Sequence, residues 1–173
     1  MKVLISDPLA REGVEILERE PDIEVTLGKG MDEEELVRVI PEYDALIVRS
    51  STKVTSRVIE AAEKLKVIGR AGVGVDNIDV EAATRKGIIV LNTPGANTIS
   101  AAEHTIALML ALSRNIHNAA ASMRKGEWNR SKFMGVEVFR KTLGIIGLGR
   151  IGAEVAKRAR GLGTVSYTHL RAH

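Results

Sequence analysis

The 173-residue sequence has no cysteine, which excludes disulfides, thiolate-held metal centres and a cysteine nucleophile, and fits a reducing compartment with the cytoplasm as the default. Charge of one sign is also lacking: 25 Lys and Arg stand against 22 Asp and Glu, bases alternate with acids, and the net charge is only +3. No basic tract marks a nucleic-acid surface, so the basicity reads as a solvated exterior. Long apolar runs are missing too. The longest, Ile106 to Leu112, falls far short of the roughly 20 residues needed to cross a bilayer. After Met1 and Lys2 only Val3, Leu4 and Ile5 precede Ser6 and Asp7, too short for the core of a signal peptide. There is no repeat at fixed period and no low-complexity tract. With 45% hydrophobic and 27% charged residues, the chain has the composition of a packed globular protein, one domain or one domain plus part of another.

What is present is an alternation. Short β-rich apolar runs at Val3 to Ser6, Ile23 to Leu27, Ala45 to Val48, Val67 to Gly69 and Ile88 to Leu91 read as strands. Between them Arg11 to Arg19, Glu33 to Ile40, Ser56 to Leu65 and Val80 to Lys86 carry apolar residues at helical spacing. Acids from Asp32 to Glu35 suit a helix start, and Lys86 with Gly87 suits a helix end. Strands alternating with helices imply parallel strands joined by crossovers, hence a flavodoxin-like, doubly wound α/β sheet with helices on both faces and ligands at the strands' C-terminal ends.

Pro94 and Gly95 interrupt this pattern and place a domain boundary there, giving segments 1–94 and 95–163. The spacing of Ser100 to Glu103 predicts a capping box for a long helix to about Asn115, with Ala101, Ala102, Ile106, Met109, Leu110 and Ser113 on one face. A helical piece from Asn118 to Lys125 and an irregular stretch through Gly126, Trp128, Phe133 and Gly135 follow. Thr142 to Ile146 then reads as a buried strand that runs into a glycine turn and a helix from Ile151 to Arg160, the start of a Rossmann unit.

Gly147-Leu148-Gly149-Arg150-Ile151-Gly152 matches the dinucleotide fingerprint. Its first glycine makes the tight turn, the second lets backbone approach a pyrophosphate, and the third lets helix pack on strand, while the helix N-terminus offers N–H groups and a positive dipole end to the phosphates. The acid expected about 20 residues later, to hold the ribose, has no counterpart: no Asp or Glu follows Glu154, and residues 164–173 do not read as the expected apolar strand.

These motifs stand among others. Val48-Arg49-Ser50-Ser51-Thr52-Lys53-Val54-Thr55, Gly69-Arg70-Ala71-Gly72-Val73-Gly74-Val75-Asp76-Asn77, Asn92-Thr93-Pro94, Ser100-Ala101-Ala102-Glu103, Gly126-Glu127-Trp128, Lys132-Phe133-Met134-Gly135 and the glycine run recur in this order over residues 2–163. In them the chain resembles the D-isomer-specific 2-hydroxyacid dehydrogenases, and the Arg-Ser-x-Thr and Lys-Phe-Met-Gly segments resemble the branch that oxidises 3-phosphoglycerate. The resemblance implies an N-terminal domain that helps bind a phosphorylated 2-hydroxy acid and a Rossmann domain that binds NAD. It also implies a cleft active site, a homo-oligomer at full length, and the opening reaction of serine biosynthesis. Arg49, Ser50, Arg70 and Asn97 would line the substrate side. Arg130 would meet the phosphate, with a surface ion pair as an equal alternative, and Lys53 is read as solvated. Val73 would touch the nicotinamide end through its backbone, and Gly147, Gly149, Arg150, Ile151 and Gly152 the pyrophosphate.

Guanidinium groups suit such a substrate because they bind carboxylate and phosphate bidentately. The family's acid–base His, its partner Glu and a carboxylate-binding Arg would lie beyond residue 173, so no catalytic residue is assigned; His104, His117, His169 and His173 are set aside. Residues 164–173 read as a non-native tail on a truncated chain that would not turn over by itself. A glyoxylate or hydroxypyruvate reductase and a non-catalytic NAD-sensing protein are the alternatives.

Overall fold

In the computed structural model, which describes residues 1–167, the strands β1 (Lys2–Ile5), β2 (Glu24–Leu27), β3 (Ala45–Val48), β4 (Val67–Arg70) and β5 (Ile89–Asn92) form one parallel sheet in the order β2-β1-β3-β4-β5. Their side-chain alternation builds the core on both faces. Leu4, Leu46, Val48 and Ile68 point to one face, where they meet Leu36 of α2 (Glu33–Val39), Val58 and Ile59 of α3 (Ser56–Ala61) and Ala82 and Ala83 of α4 (Val80–Arg85). Val3, Ile5 and Ala45 point to the other and meet Val14 of α1 (Arg11–Glu18). Helices therefore lie on both faces but unequally: α2, α3 and α4 cover one and α1 alone packs on the other in this unit. On α1's side Ile89 and Leu91 of β5, in register with Val67 and Gly69, remain 60% and 56% exposed.

The caps explain the element boundaries. Asp32 accepts from the Glu35 N–H while the Glu35 side chain accepts from the Asp32 N–H, a reciprocal box at the start of α2. Thr55 and Asp79 cap α3 and α4. Gly87, at φ 76°, follows the end of α4 in the left-handed conformation that glycine adopts without cost. Helix α3 stops at Ala61, earlier than the Leu65 expected from periodicity. The Lys86 ammonium donates to the carbonyls of Ile59 and Glu60, both at 2.7 Å, and satisfies that helix end, while Ala62 and Leu65 stay buried in the turn beyond it.

The compact units divide between Ala96 and Asn97. The second contains α5 (Thr98–Ser113), α6 (Ile116–Arg124), a single 3-10 turn at Ser131–Phe133, β6 (Thr142–Gly144), α7 (Arg150–Gly161) and β7 (Val165–Tyr167). Asn115, left-handed at φ 53°, separates α5 from α6. Three expectations are corrected here. The Ser100–Glu103 capping box does not form. The helix already begins at Thr98, so Ser100 lies inside it and its hydroxyl donates to the Asn97 carbonyl at 3.0 Å, while Glu103 faces Arg158 of α7 at 3.6 Å. The strand read as buried, Thr142 to Ile146, is only half covered: β6 spans three residues, Leu143 is half-buried and Ile146 is 87% exposed, because among the described residues β6 has one strand neighbour. Finally, a strand does follow Gly163. Val165–Tyr167 pairs in parallel with Thr142–Gly144, and the Val165 N–H reaches the Lys141 carbonyl at 2.9 Å. Ladder bonds use backbone groups, so a segment without an apolar pattern can supply them. Residues 168–173 of the tail, with His169 and His173, lie outside the described residues.

Candidate functional site

At the C-terminal edge of the five-stranded sheet the chain leaves β1, β3 and β4 in three loops that one buried carboxylate and one amide tie together. Asp7, just past β1, is 2% exposed. Its Oδ2 accepts from the Arg49 N–H at 2.5 Å and the Thr52 N–H at 3.3 Å, and its Oδ1 accepts from the Thr52 hydroxyl at 2.9 Å. That hydroxyl in turn accepts from Ser6 Oγ at 2.9 Å. A buried carboxylate is tolerated only when its lone pairs are occupied, and here three donors from the β3–α3 loop occupy them.

Asn77 holds the same loop from the opposite polarity. Its Nδ2 donates to the carbonyls of Arg49, at 2.7 Å, and Thr52, at 2.6 Å, and its Oδ1 accepts from Arg70 Nε at 3.1 Å. The partners fix the orientation of the amide: two carbonyls require the NH₂, and a guanidinium N–H requires the oxygen. Arg49 and Ser50 are exposed on this loop, and Arg70 is half-buried at the end of β4. The Arg70 guanidinium lies over Gly72, where any Cβ would collide with its Nη1 and Cζ. Neither arginine pairs with a carboxylate among the described residues, although Arg49 Nη1 reaches the Pro8 carbonyl at 3.4 Å. Beside the loop, Ser50, Lys53, Thr55, Asp76 and Asp79 border a cavity of about 460 Å³. Lys53, read as solvated, is exposed on that rim. Val73 is 36% exposed, and its carbonyl accepts from Asn92 Nδ2 at 2.7 Å.

The glycine turn lies in the second unit. Gly147 has φ 88°, a conformation that disfavours any side chain. A Cβ on Gly152 would overlap the Gly147 carbonyl oxygen, so the third glycine is dictated by the first. Around Gly149 no atom stands within 4 Å of a built Cβ, which leaves the N-cap of α7 open to a ligand. Arg150 and Ile151 begin α7 and are exposed. Turn and open helix start together fit a pyrophosphate, whose negative charge the free first-turn N–H groups and the helix dipole would hold. The helix is braced on α5: Arg158 pairs with Glu154 within α7 and with Glu103 across to α5, which lowers the Glu154 carboxyl below its ordinary value, chiefly through the hydrogen bond from Arg158.

Asn97, also in the second unit, caps α5 with its backbone only: its carbonyl accepts from the Ala101 N–H at 2.9 Å, and its side chain makes no capping bond. Arg130 is exposed at the start of the 3-10 turn and borders a cavity of about 290 Å³ together with Ser122, Glu127, Trp128 and Phe133. His104 and His117 are exposed and make no side-chain hydrogen bond among the described residues. No three His, Asp or Glu side chains converge as metal ligands among the described residues, and no described helix is long and apolar enough to cross a membrane. The structure thus gathers Arg49, Ser50 and Arg70 on one sheet edge and places Asn97, Arg130 and the glycine turn in the other unit. Sequence reasoning missed Asp7, Thr52 and Asn77. Asp7 directly after the first strand was the available signal for one of them, and the Asp-Asn ending the Gly69–Asn77 run for another.

The model of the D-isomer specific 2-hydroxyacid dehydrogenase catalytic domain matches residues 3–169, and the chain belongs to that family. It is 59% identical over 163 residues to the D-3-phosphoglycerate dehydrogenase of Methanocaldococcus jannaschii, a match covering 94% of this chain and 31% of the relative. The chain therefore spans about a third of the length of such relatives. Among solved structures, a Thermus thermophilus protein superposes with TM-score 0.92 at 36% identity, over all of this chain and 57% of its own. The NAD-dependent formate dehydrogenase of Staphylococcus aureus in complex with NAD superposes with TM-score 0.85 at 31% identity, over 97% of this chain and 56% of its own.

Proposed function

We propose that the protein acts as an NAD-dependent D-3-phosphoglycerate dehydrogenase, oxidising 3-phosphoglycerate to 3-phosphohydroxypyruvate at the head of serine biosynthesis in the cytoplasm. The observation that carries this reading is the pair Arg49 and Arg70, two guanidinium groups at the C-terminal edge of a parallel sheet with no carboxylate partner among the described residues. Cations left unpaired at a ligand-binding edge suit a substrate bearing both carboxylate and phosphate. Ser50 adds a hydroxyl on the same loop. Asn97 and Arg130 are assigned to the substrate as well, Arg130 to its phosphate. Bound NAD supplies the hydride acceptor for the substrate's C2. Gly147, Gly149, Arg150, Ile151 and Gly152 hold its pyrophosphate, and Val73 borders its nicotinamide end. In this reading segment 1–94 serves the substrate, 95–163 serves NAD, and the complete protein assembles as a homo-oligomer.

The test is to express the complete gene and compare NADH oxidation with 3-phosphohydroxypyruvate, hydroxypyruvate and glyoxylate. The expected result is a kcat/KM at least tenfold higher for the phosphorylated substrate. A preference for hydroxypyruvate or glyoxylate assigns the protein to the reductases of the same family, and NADH binding without turnover makes it a nucleotide-sensing protein. The 173-residue chain by itself is expected to show no turnover, since no His–carboxylate pair stands at either candidate site among the described residues.

A further inference from the structure

Resting on the reading above, we infer that Asn77 is the positioning residue that couples Arg49 to Arg70 and thereby sets the preference for a substrate with two anionic groups. One amide side chain makes all the contacts between the loop carrying Arg49 and Ser50 and the guanidinium of Arg70 that the described hydrogen bonds contain. Its Nδ2 closes on the Arg49 and Thr52 carbonyls at 2.7 and 2.6 Å, and its Oδ1 takes the Arg70 Nε–H at 3.1 Å.

The choice of atom on each side matters chemically. With Nε held by Oδ1, both Nη groups are left without a hydrogen-bond partner among the described residues. The side-on grip through Nε is thus taken by Asn77, and the end-on pair of Nη groups remains to hold an oxyanion bidentately. Gly72 beneath the guanidinium leaves it room to lie flat. An amide also holds Arg70 without neutralising it, whereas a carboxylate in the same place would orient the guanidinium equally well and cancel the charge the substrate needs.

Asn77 is in turn fixed by backbone. Its carbonyl accepts from the Val54 N–H at 2.8 Å, and the Asp79 N–H reaches the Val54 carbonyl at 2.8 Å, a parallel bridge between Val54 and Ile78. The β3–α3 loop is thus gripped through its N–H groups by Asp7 and through its carbonyls by Asn77. Among the described residues Asp7 makes no hydrogen bond or ion pair to an arginine side chain, so there Asn77 alone links loop position to the Arg70 guanidinium.

The experiment uses the protein from the complete gene and the variants N77A, N77D and R70K. For N77A the KM for 3-phosphohydroxypyruvate is expected to rise about 10- to 100-fold while kcat and the KM for NADH change less than threefold. The KM for hydroxypyruvate, with one anionic group fewer, should rise less than fivefold. R70K removes the Nε–H that Asn77 holds but leaves both Asn77–carbonyl bonds, so it keeps the loop folded even if N77A does not. It should reproduce the same selectivity loss, and the N77A/R70K double variant should be little worse than either single one. N77D should lose phosphorylated-substrate preference at least as far as N77A. Equal losses for both substrates, a fall in kcat alone, or additive single effects would overturn the inference and leave Asn77 a purely structural residue. If the unmodified protein turns over none of the substrates, the functional reading fails on its own. The coupling is then read from the Arg70 Nε–H resonance during titration with inorganic phosphate: a shift in the unmodified protein that N77A abolishes supports it, and a shift unaffected by N77A refutes it.

Discussion

Replacing Asp7 with alanine removes a carboxylate that receives three hydrogen bonds, from the Arg49 N–H, the Thr52 N–H and the Thr52 hydroxyl, at a site 2% exposed. A hydrogen bond to a charged acceptor contributes about 1.5–3 kcal/mol, and a buried donor left without a partner costs about 1–3 kcal/mol. Arg49 is exposed and its N–H can recover water, whereas Thr52 is 1% exposed and its two donors cannot. Relief of the carboxylate's own desolvation opposes the loss. The net expectation is a destabilisation of about 3–5 kcal/mol, a large part of the roughly 5–15 kcal/mol that holds an ordinary domain together. Asp7→Asn keeps the shape and, with its amide oxygen facing the Arg49 and Thr52 N–H groups, sets its NH₂ against the Thr52 hydroxyl and loses only the bond that hydroxyl donates, so about half that cost is expected. Urea unfolding followed by circular dichroism measures both, and hydrogen exchange at the Thr52 amide reports whether the loop opens before the sheet does. A loss below about 1 kcal/mol for Asp7→Ala, or faster exchange spread evenly over the sheet with none focused on the loop, would refute the claim that this carboxylate organises the loop.

Two further outcomes follow from the geometry. Gly152→Ala drives a methyl into the Gly147 carbonyl and must open the turn, so NADH affinity in the complete protein should fall at least tenfold, read by quenching of NADH fluorescence, while far-UV circular dichroism stays unchanged. Unaltered affinity would mean that the turn does not hold the nucleotide. Asp44 accepts from the Lys2 N–H at 2.8 Å and pairs with Lys66 at 3.4 Å, and the Lys2 backbone bond is the main cause of its lowered carboxyl pKa. A lowered folded value means that its contribution is complete above the ordinary carboxylate value of 3.8 and fades as pH falls through the depressed one. Acid unfolding of Asp44→Asn should accordingly be less steep than that of the parent in this range, and identical acid profiles would contradict the assignment.

What the sequence determined by itself is whatever rests on local pattern. Val3, Leu4 and Ile5 or Ala45 to Val48 cannot bury alternate side chains except as strands between two layers, so the parallel sheet was legible to within a residue or two at each strand end. Gly147 and Gly152 announce their turn in the same way, since φ 88° and the close approach to the Gly147 carbonyl exclude a side chain at either position. Local pattern misled where a partner distant in the chain decided the matter. Ser100 and Glu103 have the spacing of a cap, but Glu103 is drawn to Arg158 on α7; Val165 lacks an apolar strand around it, but Lys141 supplies a backbone partner. Only the tertiary structure brought Asp7 within reach of Thr52 and Asn77 within reach of Arg49, residues 45 and 28 positions apart. No periodicity encodes such contacts, because they depend on which strand lies beside which, and the sheet order β2-β1-β3-β4-β5 is settled by packing of the whole unit.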